Sequence, residues 1–269
     1  MIITLMESVQ HFFSHPHQFT DVMIFTVLFL ICWNLENIFG VTEDYKKWKH
    51  CSTNFYFILS GGLVQALTGY FFIRIIVFEN EHHYGLSAMS DARQVIFSFI
   101  FLDFIYYVYH VLMHRYKTVW RFHAIHHSDT VLNVSTSLRE HPVETVIRLS
   151  QYMFFCVLIG PAFWIIALHQ FVQVASKIII HSNFRLPDRL DKYLSFIFIT
   201  PNMHHVHHHH VRPYTDSNYG DLFSVWDHVF GTFTYLAKED VQFGLDEVQD
   251  ELTVKPIKLF TTRIFNKRS

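Results

Sequence analysis

Four stretches of the chain are almost free of charge. Residues 22–39 are nearly continuously apolar, broken only by Asn34, Glu36 and Asn37 near the end. Residues 55–78 follow, with Arg74 as the one charge close to the exit. Residues 92–109 come third, with Arg93 and Asp103 inside. Residues 146–180 form the longest stretch, with Gly160-Pro161 near its middle. A helix of about 20 residues crosses a bilayer core. The first three stretches therefore predict single helical spans. The fourth predicts two short helices, because proline removes a backbone donor and ends the first. The expected fold is all-α: an integral membrane bundle of about four spans, one of them a broken hairpin. A soluble all-α protein is the alternative, but four such stretches in so small a chain leave too little polar surface to cover them.

Composition points the same way. Of 269 residues, 51% are hydrophobic and 17% aromatic, and only 16% are charged. Soluble domains average about 25% charged. Lys+Arg 21 against Asp+Glu 23 leaves no basic excess for a nucleic-acid partner. Cys32, Cys51 and Cys156 are far apart in or beside apolar runs, which predicts reduced, structural thiols. "MIITLMESVQHFFSH" is too short for a span and predicts an interfacial helix.

Basic residues set the expected orientation. Lys46, Lys47 and Lys49 separate the first two stretches, and Arg115, Lys117 and Arg121 follow the third. The intervening "ENEHHYGLSAMSDAR" is acidic. Both basic segments should face the cytosol, in a bacterial inner membrane or the endoplasmic reticulum. The hairpin would return to that side. Residues 1–91 then read as N-terminal membrane helices, 92–235 as a catalytic domain, and 236–269 as a cytosolic tail.

The 21 histidines change the picture. Their clusters avoid the apolar runs and lie beyond the run ends, although His169 sits inside the fourth. His110 and His114 are four apart. His123, His126 and His127 spell H-x-x-H-H, and His204, His207 and His208 spell it again. Each spacing puts its rings on one helical face. Neutral imidazole suits zinc, iron, copper and nickel. Eight nitrogens are too many for one metal with an open position, so two metals are expected. A second register, His205, His208 and His209, is available in the last cluster.

The blocks "DFIYYVYHVLMHR", "HAIHHSD", "STSLREHPVE", "HSN" and "TPNMHHVHHHHVRPYTDSNYGDLFSVWDHVFGTF" follow in an order that resembles the fatty acid hydroxylase / sterol desaturase superfamily of membrane di-metal oxygenases. The resemblance covers residues 92–233, about half the chain, and the last block is its most specific part. The motif style is similar to alkylglycerol monooxygenase-like members, which use a reduced pterin, and to bacterial sterol desaturases. The resemblance implies two Fe ions, replaceable by zinc in a purified sample, in a cytosolic helical cap. It implies O2 attack on a C–H bond of a bilayer lipid, giving hydroxylation or desaturation. It also implies electrons from a separate electron-transfer protein or a pterin. It makes His110, His114, His123, His126, His127, His204, His207 and His208 ligands, with His141 and His181 completing the shells. It also favours the 204/207/208 register, by the distance from His208 to Asp216.

Three carboxylates are candidates for the site chemistry. Asp103, two turns before His110, would orient an imidazole or pair with Arg115. Glu144, three residues after His141, would orient a ligand, touch a metal or favour a helix start. Asp216, with Asn218, Trp226 and Asp227, would shape and seal the site. A histidine-rich membrane metal-binding or transport protein without oxidase activity is the competing class, and a metal-dependent lipid hydrolase is a further alternative. Transporters place such ligands near the bilayer midplane, whereas these clusters lie past the span ends.

Overall fold

The computed structural model describes residues 2–14, 18–40, 45–82, 85–88 and 92–245. Ten α-helices account for most of them: α1 Ile2–Ser14, α2 Gln18–Phe39, α3 Lys47–Glu81, α4 Ala92–Arg115, α5 Lys117–His127, α6 Pro142–Ile159, α7 Phe163–Ile180, α8 Asp188–Leu194, α9 Pro201–His207 and α10 Val225–Phe230. Among the described residues there is no strand, only two isolated bridges, Phe198 with Phe223 and His209 with Phe243. The protein is an all-helical membrane bundle carrying a histidine-rich cap.

Among the described residues, α4, α6 and α7 are long and apolar enough to cross a bilayer, and residues 23–39 of α2 form a shorter apolar segment. The reversal between α6 and α7 falls where the sequence puts it. Gly160 caps α6 in the left-handed conformation, at φ 56° and ψ 56°, which costs glycine little. The turn at residues 85–88 docks on this reversal. A Cβ on Gly85 would collide with the Ile159 carbonyl oxygen, and Ser87 N donates to Gly160 O at 2.6 Å.

Leu102, Tyr106, Tyr152, Cys156 and Ile166 form the core between α4, α6 and α7. Many large apolar side chains point outward instead, among them Leu59, Leu63 and Phe71 of α3 and Phe97 of α4. Lipid is the solvent in which such a surface is stable. α1 packs on α7, where Phe13 meets Phe171 with centroids 5.5 Å apart. All three cysteines are buried free thiols.

Two buried ionic networks fix the cap to the bundle. Glu36 of α2 accepts from Val134 N at 2.6 Å and Asn183 N at 2.7 Å, and pairs with Lys47 of α3 at 2.9 Å. Arg139, 1% exposed, donates to Ile125 O, Asn54 Oδ1 and Ser128 Oγ at 2.8, 2.9 and 2.8 Å. Asp129 beside it accepts from Thr136 Oγ1 and Asn54 Nδ2 and pairs with His50. Burial alone would raise the Asp129 carboxyl, but His50 and Arg139 outweigh it and hold it far below the carboxylate range. Residues 236–245 pack on the cap, with His210 N donating to Gln242 O. The rest of the expected tail lies outside the described residues.

Candidate metal centre

Four elements bring rings to one place: the last turns of α4, α5 and α7, and the whole of α9. His110 and His114 end α4, and His123, His126 and His127 end α5. His181 caps α7, and His204, His207 and His208 come from α9 and its C-cap. They divide into two groups. His110, His114, His123, His127 and His207 form one; His126, His181, His204 and His208 form the other. Within each group the ligating nitrogens lie within 4.8 Å of one another, and every ring is buried.

The outer nitrogen of six rings is tied to the protein. His110 Nδ1 donates to Tyr219 O at 2.8 Å, His126 Nδ1 to Arg139 O at 3.1 Å, His181 Nδ1 to Lys177 O at 2.7 Å, and His207 Nδ1 to Ser217 O at 2.7 Å. Carboxylates hold two more. His123 Nδ1 donates to Glu144 Oε1 at 2.6 Å, and His114 Nδ1 to Asp216 Oδ1 at 3.1 Å. Carbonyls and carboxylates only accept, so Nδ1 carries a proton, and in the neutral ring that metal binding needs Nε2 is then a bare lone pair.

The bare atoms face each other. His110 Nε2 and His123 Nε2 are 3.1 Å apart, and His181 Nε2 and His126 Nε2 are 2.9 Å apart. Two lone pairs at this separation repel unless a cation sits between them. Ligands bound at about 2.1 Å to one metal at right angles stand about 3.0 Å apart. The donor set therefore fits two N-ligated transition-metal ions. Burial, reinforced by neighbouring imidazoles, pushes His126, His127, His204 and His208 well below the ordinary histidine value. That favours the neutral form of these four rings, the form ligation requires.

The loop after α9 forms the scaffold. Asp227 accepts from Tyr219 N at 2.8 Å, Gly220 N at 2.9 Å and Thr232 Oγ1 at 2.6 Å. It thereby fixes the stretch whose carbonyls hold His110 and His207. Asn218, at φ 50°, donates to Met203 O and Thr234 O. Arg212 pairs with Asp216 at 3.1 Å from the solvent side.

Nine of the ten expected ring ligands enter the two groups, and His141 does not. Its Nδ1 accepts from Val143 N at 3.1 Å, capping α6, and its ring lies on Phe122 with centroids 5.0 Å apart. The cap consumes the lone pair a metal would need. Asp103 also departs from expectation: it accepts from Trp226 Nε1 at 2.7 Å and Gln173 Nε2 at 3.1 Å and orients no imidazole. Glu144 orients His123, and Tyr109 OH also donates to it at 3.3 Å. In the last cluster, His205 Nε2 donates to Ser182 O and His209 Nδ1 accepts from Gln242 N, so both rings bond backbone outside the two groups. Glu36, Arg139 and Asp129 escaped sequence reasoning. Arg139 stood in "LREHPVE" with no spacing to mark it.

A cavity of about 390 Å³ lies on the other face of α9, lined by Met203, Val206, Phe196, His228 and Tyr235 among others. No ring of either group lines it.

An all-helical membrane scaffold holding two buried polyhistidine sets defines a class of membrane metalloprotein. Residues 95–232, just over half of the chain, match the fatty acid hydroxylase family, and the protein belongs to it. It is similar to an ornithine lipid hydroxylase of Rhizobium tropici, 34% identical over 56% of this chain and 45% of the relative. It is similar to the alkylglycerol monooxygenase of Caenorhabditis elegans, 34% identical over 70% of this chain and 36% of the relative. Human lathosterol oxidase is 32% identical over 57% of this chain and 48% of the relative. The chain thus matches less than half the length of these relatives. No solved structure matches it.

Proposed function

We propose that the protein is a membrane-bound di-iron oxygenase that oxidises a C–H bond of a bilayer lipid with O2 and electrons from outside the chain. The observation that carries this reading is the pair of buried ring sets with opposed, unprotonated Nε2 atoms. Relatives named as lipid hydroxylases and monooxygenases support hydroxylation over desaturation. In this reading the five-ring set holds one ion and the four-ring set the other. Two irons bound there would supply O2 activation, which no side chain can perform. The chain's own part is to hold, orient and exclude. Glu144 and Asp216 keep His123 and His114 in the tautomer that presents Nε2. Burial of every ring keeps water from the reacting centre. Substrate reaches the site from the bilayer, and the site faces the cytosol. Reductant is a separate electron-transfer protein or a reduced pterin.

The test is iron content and lipid product measured together. Chain reconstituted in vesicles should carry two irons. Cells expressing it should contain a lipid heavier by one oxygen, drawn from O2, that is missing with His126→Ala. Iron-loaded protein in cells with no O2-dependent lipid change would overturn the reading. A change in cellular metal content alone would favour transport.

A further inference from the structure

The cap carries an apolar face that the metal centre does not use. The run "YLSFIFI", residues 193–199, has no charge. Tyr193 is 75% exposed, Phe196 61% and Ile197 52%. Helix α10 adds Val229 and Phe230, also exposed. The two segments form one unit: Phe198 bridges Phe223, and Ser224 N donates to Ile197 O at 3.0 Å. Exposed apolar side chains grouped in this way mark an interaction surface.

Its height along α4 identifies what covers it. Phe223 touches Phe99, with centroids 6.4 Å apart. Trp226 and Phe230 stack on Phe104 at 4.9 and 5.9 Å. At 1.5 Å per residue, Phe99 lies about 16 Å below His110 along the helix. That is well inside a candidate span. On the same stretch of α4, Ile96, Phe97 and Ile100 are themselves bare. The patch continues that lipid-facing surface sideways. Just before the run, α8 exposes Arg189 and Lys192 beside Asp188, and such cations are suited to reach headgroups.

We infer that residues 193–198 and helix α10 lie within the bilayer beside α4, as an embedded blade of the cap, and that their partner is the lipid itself. The ring-bearing side of the cap then stays above the lipid while this side is sunk in it. The claim is independent of the metal and of the reaction.

Spin labels at single added cysteines test it in phosphatidylcholine vesicles, using the full chain. Cys32, Cys51 and Cys156 are buried, so labelling of the unsubstituted chain sets the background. Phe97→Cys is the lipid reference, and Glu239→Cys, on an exposed residue, is the water reference. Ile197→Cys and Val229→Cys should be relaxed by dissolved oxygen and shielded from an aqueous nickel chelate, to the level of Phe97→Cys. Nickel access at the level of Glu239→Cys would overturn the inference. So would exclusion of both relaxants with spin–spin broadening, which means that a second copy covers the face. If a cysteine variant fails to fold, Ile197→Trp reads the same point as the difference from the unsubstituted chain, whose five tryptophans set the background: added emission quenched by brominated lipid upholds it, and added emission quenched by aqueous iodide alone defeats it.

Discussion

The two ring sets are built differently. The five-ring set is backed by two carboxylates, Glu144 behind His123 and Asp216 behind His114. The four-ring set has no carboxylate behind any ring among the described residues; its outer contacts are the carbonyls of Arg139 and Lys177. An anionic partner makes an imidazole a stronger donor than a carbonyl does. The five-ring set should therefore hold its ion tightly and the four-ring set more loosely, with fewer ligands and room for an exogenous one. Two ions held by these sets would then be unequal, through atoms that touch neither.

Substituting a ring gives the largest effect. His204→Ala should lower iron from two to one per chain and abolish lipid oxidation, measured by metal analysis and product assay. His110→Ala should abolish oxidation too, but with greater metal loss. Equal losses from both variants would break the asymmetry. Next comes Arg139, which fixes the loop behind His126. Arg139→Ala leaves the buried acceptors Ile125 O, Asn54 Oδ1 and Ser128 Oγ without their donor, at about 1–3 kcal/mol each. Thermal unfolding in detergent should fall accordingly, and iron should leave the four-ring set first.

Glu144→Gln should weaken iron at the five-ring set by about 10–100-fold and spare the four-ring set. Glu144→Asp should recover part of the loss, and equal weakening of both sets would count against separate backing. Asp216→Asn should fall at the low end of that range, because Asp216 is partly open to water. The smallest effect belongs to Glu140, paired with Arg148 and Lys177 at 3.1 Å each. Burial alone would raise its carboxyl, but the two cations hold it well below the glutamate range. Its folded value is depressed, so its contribution is present above the unfolded value of about 4.3. It is lost only as pH falls through the depressed value. Glu140→Gln should cost about 1–2 kcal/mol at neutral pH, between exposed and fully buried pairs. That loss should shrink in acid.

Much of this was legible in the sequence, for identifiable reasons. Apolar runs and Gly160-Pro161 gave the helices because lipid solvation demands length and apolarity, both local properties. The H-x-x-H-H spacing marked His123, His126 and His127 because one helical face is also local. What failed was of two kinds. His141 fails locally, since Val143 N, which takes its lone pair, is only two residues on. The other failures are long-range. Nothing near Asp103 says that Trp226, far along the chain, will claim it. Arg139 is invisible for the same reason, since its acceptors come from α3 and α5. α3 also runs from Lys47 to Glu81, longer than its apolar stretch, because polar ends extend a helix without marking its limits.

The rings come from positions spread between His110 and His208, and the α6–α7 hairpin lies between the second cluster and the last. During synthesis, the ribosome therefore delivers α4 and α5 first, with their imidazoles facing a pocket that still lacks a wall. The hairpin must enter the membrane and turn back before α9 arrives to close it. Completion of either ring set is accordingly a late step of biogenesis, because His207 belongs to one and His204 and His208 to the other, and a nascent chain stalled before α9 would hold neither.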